Sequence, residues 1–185
     1  MKTKLHVFVM FWIGLMSFSQ NTYVPDNNFE QALIDFGYDT APLNDYVPTA
    51  NISEITDLNL AFRFIDDLTG IEDFTVLAYL VCGNNQLITL DVSNNTALDL
   101  LLCVDNQLTS LDVRNGNNIS MQYMECSDNP SLSCINVDDA AYSTANWTDV
   151  DAQTSFNEDC SSVVGIKQYT SSKTLIKKQI AIEKY

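Results

Sequence analysis

The chain has 185 residues, 46% of them hydrophobic, which is enough for one folded domain with a core and argues against a disordered polymer. Its formal charge is −15, and between Gln20 and Cys160 only Arg63 and Arg114 offset 23 acids, so the body repels phosphate backbones and anionic lipid; no nucleic acid is expected as a partner. The single histidine, His6, lies near the start, which leaves the rest of the chain without imidazole for Ser-His-Asp or Cys-His catalysis or for zinc.

The first residues, MKTKLHVFVMFWIGLMSFSQ, open with Lys2 and Lys4, run apolar from Leu5 to Met16 and end in small residues at Ser17 and Ser19. That order predicts a signal peptide over residues 1–19, cut before Gln20, and hence an exported protein. The alternative is a membrane anchor, but the apolar run is about 12 residues against the ~20 needed to cross a bilayer. No later segment is long and apolar enough to span, so no transmembrane segment is expected after cleavage. Loss of Lys2 and Lys4 would move the formal charge to −17.

Residues 23–38, YVPDNNFEQALIDFGY, predict a helix: Asp26 follows Pro25 as an N-cap, Phe29, Leu33, Ile34 and Phe36 fall at largely helical spacing, and Gly37 stops it. A polar segment over residues 39–52 comes next, in which Pro42 and Pro48 are expected to break any regular element. Residues 20–54 are thus read as an N-terminal helical cap and linker. An amphipathic helix there would cover the open apolar end of a solenoid.

From Leu77, LAYLVCGNNQLITLDVSNNTA is nearly restated 21 residues later as LDLLLCVDNQLTSLDVRNGNN from Leu98. Leu77, Leu80, Cys82, Asn85, Leu87 and Leu90 match Leu98, Leu101, Cys103, Asn106, Leu108 and Leu111. At a spacing of 22 upstream the frame recurs as Ile55, Leu58, Leu60, Arg63, Ile65 and Leu68; at 23 downstream Met121, Met124, Cys126 and Asn129 continue it until Pro130 and Ser131 break the spacing. A frame L-x-x-L-x-C-x-x-N-x-L-x-x-L with this period predicts a leucine-rich-repeat solenoid. About four coils are expected over residues 55–134, with short strands near residues 57–61, 79–83, 100–104 and 123–127 paired in a parallel ladder. The leucines should point inward, and Asn85, Asn106 and Asn129 should turn the chain while their amides satisfy buried backbone groups.

Cys82, Cys103 and Cys126 occupy one inward position of successive coils and should form a column of buried thiols, since parallel side-chain directions suit a disulfide poorly. Cys134 and Cys160 flank an irregular C-terminal cap, residues 135–160, which holds Tyr142, Trp147 and Phe156. In an exported protein a bond between them would clamp that cap; a metal site is the alternative, for which further ligands are wanting. Residues 161–185 carry five lysines and read as a basic tail.

The strings NNQLITLDVSNNTAL and DNQLTSLDVRNGNN resemble the coils of leucine-rich-repeat proteins secreted by flavobacteria and their relatives, with Cys-x-x-Asn-Asn-Gln-Leu and Leu-Asp-Val-Ser motifs. YVPDNNFEQALIDFGYD and NPSLSCINVDDAAYSTANW are similar to the segments that open and close such proteins, so the resemblance covers about residues 20–160. It implies an exported interaction module without a catalytic centre. Relatives of this type often continue into a C-terminal sorting domain, and SSKTLIKKQIAIEKY resembles the opening of one; the basic-tail reading stands beside it.

The outward positions of the strand ladder are where such a solenoid would bind. Tyr79, Val81, Leu100, Leu102, Val104 and Tyr123 make an unexpectedly apolar row there, with Glu125 beside it. A protein or glycan ligand fits this composition, as does self-association in a structural or adhesive envelope protein; cover by a loop or the tail, or ordinary surface, is the plainer reading. Neither G-x-x-x-x-G-K-[ST] nor G-x-G-x-x-G occurs, and no nucleophile has an adjacent base, so neither an enzyme nor a cofactor is expected. DVDAQTSFNEDC, residues 149–160, starts like a calcium loop at Asp149 and Asp151 but has Thr154 where Gly is needed and Cys160 where the bidentate Glu belongs. No metal is expected either.

Overall fold

The computed structural model describes residues 20–161; the expected signal peptide and nearly all of the basic tail lie outside them. Strand β1 (Asn21–Tyr23) leads into α1 (Asn27–Asp35), β2 (Tyr46–Pro48) and α2 (Thr49–Ile52). Asp26 is the N-cap, as its position after Pro25 suggests: its Oδ1 accepts the amides of Asn28 at 2.7 Å and Phe29 at 2.9 Å. The expected helix is shorter than residues 23–38 because residues 21–23 pair antiparallel with residues 46–48. The segment over residues 39–52 therefore does contain regular structure, Pro48 being the last residue of β2, at the sheet edge where a missing N–H does no harm. Glu30, fully buried, accepts the amides of Asn44 at 2.7 Å and Asp45 at 3.0 Å and so fastens this loop to α1.

The solenoid is built on two parallel ladders, not one. β3 (Asp57–Asn59), β4 (Tyr79–Val81), β6 (Leu100–Leu102) and β8 (Tyr123–Glu125) form the expected sheet. β5 (Thr89–Asp91), β7 (Ser110–Asp112), β9 (Cys134–Asn136) and β10 (Ser155–Asn157) form a second on the far side of the core. The Leu-Asp-Val segments thus fold as strands, with Leu90, Leu111 and Ile135 inward and in register. The solenoid has about five turns rather than four. Glu125 bridges in parallel to Asp149, and β10 pairs with β9, so residues 149–157 add a turn. It lacks the leucine frame, and β10 is the edge of the second sheet among the described residues.

Inward side chains stack by position: Leu58, Leu80, Leu101 and Met124; Leu60, Cys82, Cys103 and Cys126; Val92, Val113 and Val137. Each leucine so buried contributes about 2 kcal/mol. The asparagine column behaves as its chemistry dictates. Asn106 Nδ2 donates to the carbonyls of Cys82 and Cys103, both at 3.1 Å, and its Oδ1 accepts from the Leu87 amide at 3.0 Å; Asn129 repeats this with Cys103, Cys126 and Leu108. Arg63 stands at that position in the first coil, and Asn85 follows the pattern of Asn106, donating to the carbonyls of Leu60 at 2.9 Å and Cys82 at 3.0 Å and accepting from the amides of Arg63 at 3.0 Å and Ile65 at 3.1 Å.

Both ends are closed. Phe29 of α1 stacks on Phe74 at 6.2 Å between ring centroids, over Leu33, Val47 and Ile52. At the other end, α3 (Ala140–Asn146) and the buried Trp147 cover the core, with Phe156 edge-on to Trp147 at 5.9 Å. Cys134 and Cys160 form the expected disulfide, with a Cα–Cα distance of 5.8 Å. Cys82, Cys103 and Cys126 are free and buried. Desolvation pushes the Cys82 thiol up to about 12, and hydrogen bonding to Cys126 together with desolvation raises Cys103 well above its ordinary value.

Candidate functional site

The first sheet has strands of three residues whose middle side chain is inward, so each offers two outward side chains and a third just beyond its end. Register then decides neighbours. Asp57, Tyr79, Leu100 and Tyr123 are successive Cα partners, and Asn59, Val81, Leu102 and Glu125 are the next row, which the bridge extends to Asp149. Past the strands the ladder continues by the amides of Phe62, Asn84 and Asp105 donating to the carbonyls of Gly83, Val104 and Ser127. That places Ala61, Gly83, Val104 and Ser127 in a third row.

All seven residues singled out from the sequence therefore lie on one face. Tyr79 and Tyr123 are the most open, at 40% and 41% exposure, and they flank Leu100. Val81, Leu100, Leu102, Val104 and Glu125 are half-buried, so the apolar surface on offer is smaller than six fully exposed side chains would give. Gly83 matters to this packing. A Cβ there would meet Val104 Cγ1 and the Val104 carbonyl oxygen, both at 2.9 Å, so only glycine lets Val104 lie against the sheet.

The rim is acidic. The Tyr123 hydroxyl is 3.5 Å from Glu125 Oε2, and its phenol is pushed up from its ordinary range first by hydrogen bonding to Asp149, then by burial and by the charges of Glu125 and Asp149. Asp99 is fixed at the edge, accepting from Gln122 Nε2 at 2.6 Å. Asp149 belongs to this face although sequence spacing does not reveal it, because its turn carries no leucine frame. Asp151 Oδ1 and Oδ2 accept the amides of Asp128 and Asn129, so this carboxylate serves the backbone. Among the described residues no group of histidine, cysteine or acidic side chains is arranged to hold a metal, and no helix is long and apolar enough to cross a membrane.

No protein-family model matches the chain. Internalin J of Listeria monocytogenes serotype 4b (strain F2365) is 35% identical over 78 residues, which are 42% of this chain and 8% of that protein. The solved functional domain of InlJ from Listeria monocytogenes, which includes a cysteine ladder, aligns at 24% identity and a TM-score of 0.43 over 77% of this chain and 40% of that one. An internalin, inlF, of Listeria monocytogenes strain 4b F2365 aligns at 19% identity and a TM-score of 0.49 over 71% and 44%. The chain thus spans less than half the length of each. The repeated frame and the two parallel ladders make the fold a leucine-rich-repeat solenoid, and 78 of its residues are similar to internalin J.

Proposed function

We propose that this protein is an exported, noncatalytic binding module that presents the first sheet to a protein partner, and that it is of the flavobacterial secreted type its motifs resemble. The observation that carries the reading is the register that sets Leu100 between Tyr79 and Tyr123 and Leu102 between Val81 and Glu125. Two amphipathic rings flanking aliphatic side chains, with carboxylates at the rim, suit an apolar partner surface bordered by Lys or Arg. Similarity to an internalin supports an interaction module of this class. A glycan stacked on the tyrosines is the finer alternative within the same site. Self-association is disfavoured by charge: two bodies this acidic repel, and their two arginines are paired with Asp35 and Asp112.

The test is Leu100→Asp with Leu102→Asp. Both side chains face outward and half-buried, so the fold should persist. Capture of a protein from an envelope extract by residues 20–160 should be lost, while mass in solution stays that of a monomer for both forms. Unchanged capture sinks the sheet-face assignment; a fall in mass on substitution would point to self-association instead.

A further inference from the structure

Two tyrosines share one row of the first sheet with a single residue between them. Asp57, Tyr79, Leu100 and Tyr123 are successive Cα partners across four parallel strands. Adjacent strands lie about 4.8 Å apart, so Tyr79 and Tyr123 are separated by roughly 9.6 Å along the ladder. Leu100, half-buried and shorter than either ring, forms the floor of that interval. The Tyr123 hydroxyl is directed at Glu125 Oε2, two residues on in the same strand, so its ring leans along its own strand and not over Leu100.

This interval discriminates between backbone conformations of a segment laid along the ladder. A polyproline II segment advances about 3.1 Å per residue and brings every third side chain to one edge, a repeat of about 9.3 Å. Two turns of α-helix advance about 10.8 Å, and like-facing residues of a β-strand recur at about 6.7 Å, so only the polyproline repeat meets both rings at once. Charge sets the ends of the site. Asp57 closes the tyrosine row on one side, and the neighbouring row ends in Glu125 and the bridged Asp149 on the other. Among the described residues the two arginines pair elsewhere, with Asp35 and Asp112.

We infer that the sheet face takes a partner's proline-rich segment in the polyproline II conformation, with prolines at i and i+3 against Tyr79 and Tyr123 and an Arg or Lys beyond them at Glu125 and Asp149; this rests on the sheet-face reading above and names the chemistry of its occupant. Prolines pack on aromatic side chains in a segment already ordered before it binds, and the carbonyls that this conformation leaves free can accept from the Tyr79 hydroxyl. Carboxylates at the end of the row attract the flanking cation. The chain itself does not supply the segment. Its four prolines, Pro25, Pro42, Pro48 and Pro130, are nowhere three apart, and residues 161–185 contain none, so neither a second copy nor the lysine-rich end of this chain matches the spacing of the rings.

The experiment measures peptide binding to the full chain without its signal. Two peptides share one composition, with two Arg each, and differ only in placing their prolines at i and i+3 or at i and i+2; a third copies residues 166–185. The i, i+3 peptide should bind at least about tenfold tighter than the i, i+2 peptide and shift the Tyr79 and Tyr123 ring resonances. That margin should vanish in Tyr79→Ala and in Tyr123→Ala, whose rings are open enough to solvent for the fold to persist. It should survive Phe62→Asn/Phe64→Asn, which removes two rings, each 72% exposed, that lie off this row. Equal affinity of the two proline peptides overturns the assignment, as does equally tight binding of residues 166–185, which would make the chain's own end the occupant. A β-linked hexasaccharide that shifts the same resonances where the proline margin is absent would assign the face to a glycan. Loss of envelope capture in L100D/L102D with no proline margin overturns the polyproline assignment alone, whereas unchanged capture with no margin overturns the sheet face as well.

Discussion

Asp151 Oδ2 accepts the backbone amide of Asn129 at 2.7 Å, and its Oδ1 accepts that of Asp128 at 3.0 Å. In the interior coils the equivalent amides reach the next coil's carbonyls, Asn85 to Asp105 at 3.2 Å and Asn106 to Asp128 at 3.3 Å. Where the regular ladder stops, a side chain supplies the missing acceptors. Asp26 does the same at the opposite end: its Oδ2 accepts from Asp66 at 2.8 Å and Asp67 at 3.0 Å, whereas Thr109, two coils on, donates to the preceding coil's Ile88 at 2.8 Å.

These two end caps are testable by pH as well as by substitution. Burial opposes ionisation of Asp26, but the amides of Asp66, Phe29 and Asp67 outweigh it and hold its carboxyl below the ordinary range. A carboxyl depressed in the folded state adds stability that is present above its unfolded value and lost as pH falls through the folded one. Urea denaturation of the parent should therefore weaken below about pH 4, and Asp26→Ala should show a shallower loss there. At neutral pH Asp151→Ala should cost about 2 kcal/mol, as two amides lose a charged acceptor.

Asn106→Ala should be clearly destabilising. It strands the buried Leu87 amide, whereas the Cys82 and Cys103 carbonyls keep the side-chain amides of Asn85 at 3.0 Å and Asn129 at 3.1 Å. Equilibrium denaturation should show a loss of about 1–3 kcal/mol. A loss under about 1 kcal/mol would mean that water replaces the amide.

Gly83→Ala should lower stability by about 1–3 kcal/mol, because the new Cβ meets both the side chain and the backbone of Val104. Its glycine φ is ordinary, so the cost would come from contact alone. Shifts of the Val104 methyl resonances would report the displacement directly.

Replacing Cys134 and Cys160 by serine opens a cross-link between residues 26 apart, which should cost about 3.5 kcal/mol. The three core thiols behave oppositely. Cys82 and Cys103, buried and with thiols raised far above neutral, should resist alkylation at pH 8 in the native protein and react once it is unfolded. Mass spectrometry of alkylated protein, with and without denaturant, reads both properties.

The repeat frame made the inward columns legible because a solenoid stacks like positions on like, so periodicity alone locates Leu80 above Leu101 and Asn106 above Asn129. The second sheet was not legible. Its strands are three residues long, too short for alternation to show, and Thr89–Asp91 looks the same as a polar turn. Nor could spacing find residues 149–157, whose place as the fifth turn depends on pairing with β8 and β9 and not on leucines of their own.

Sequence by itself determined the stacked coils of the first sheet, the inward cysteine and asparagine columns and which side chains face out from that sheet, since all follow from a period of 21–23 residues and an alternation of two along each strand. Only the tertiary structure decided what each outward residue is worth. Leu100 and Leu102 end half-buried where Tyr79 and Tyr123 stay open. Exposure is a property of neighbours distant in the chain, and no local pattern encodes it.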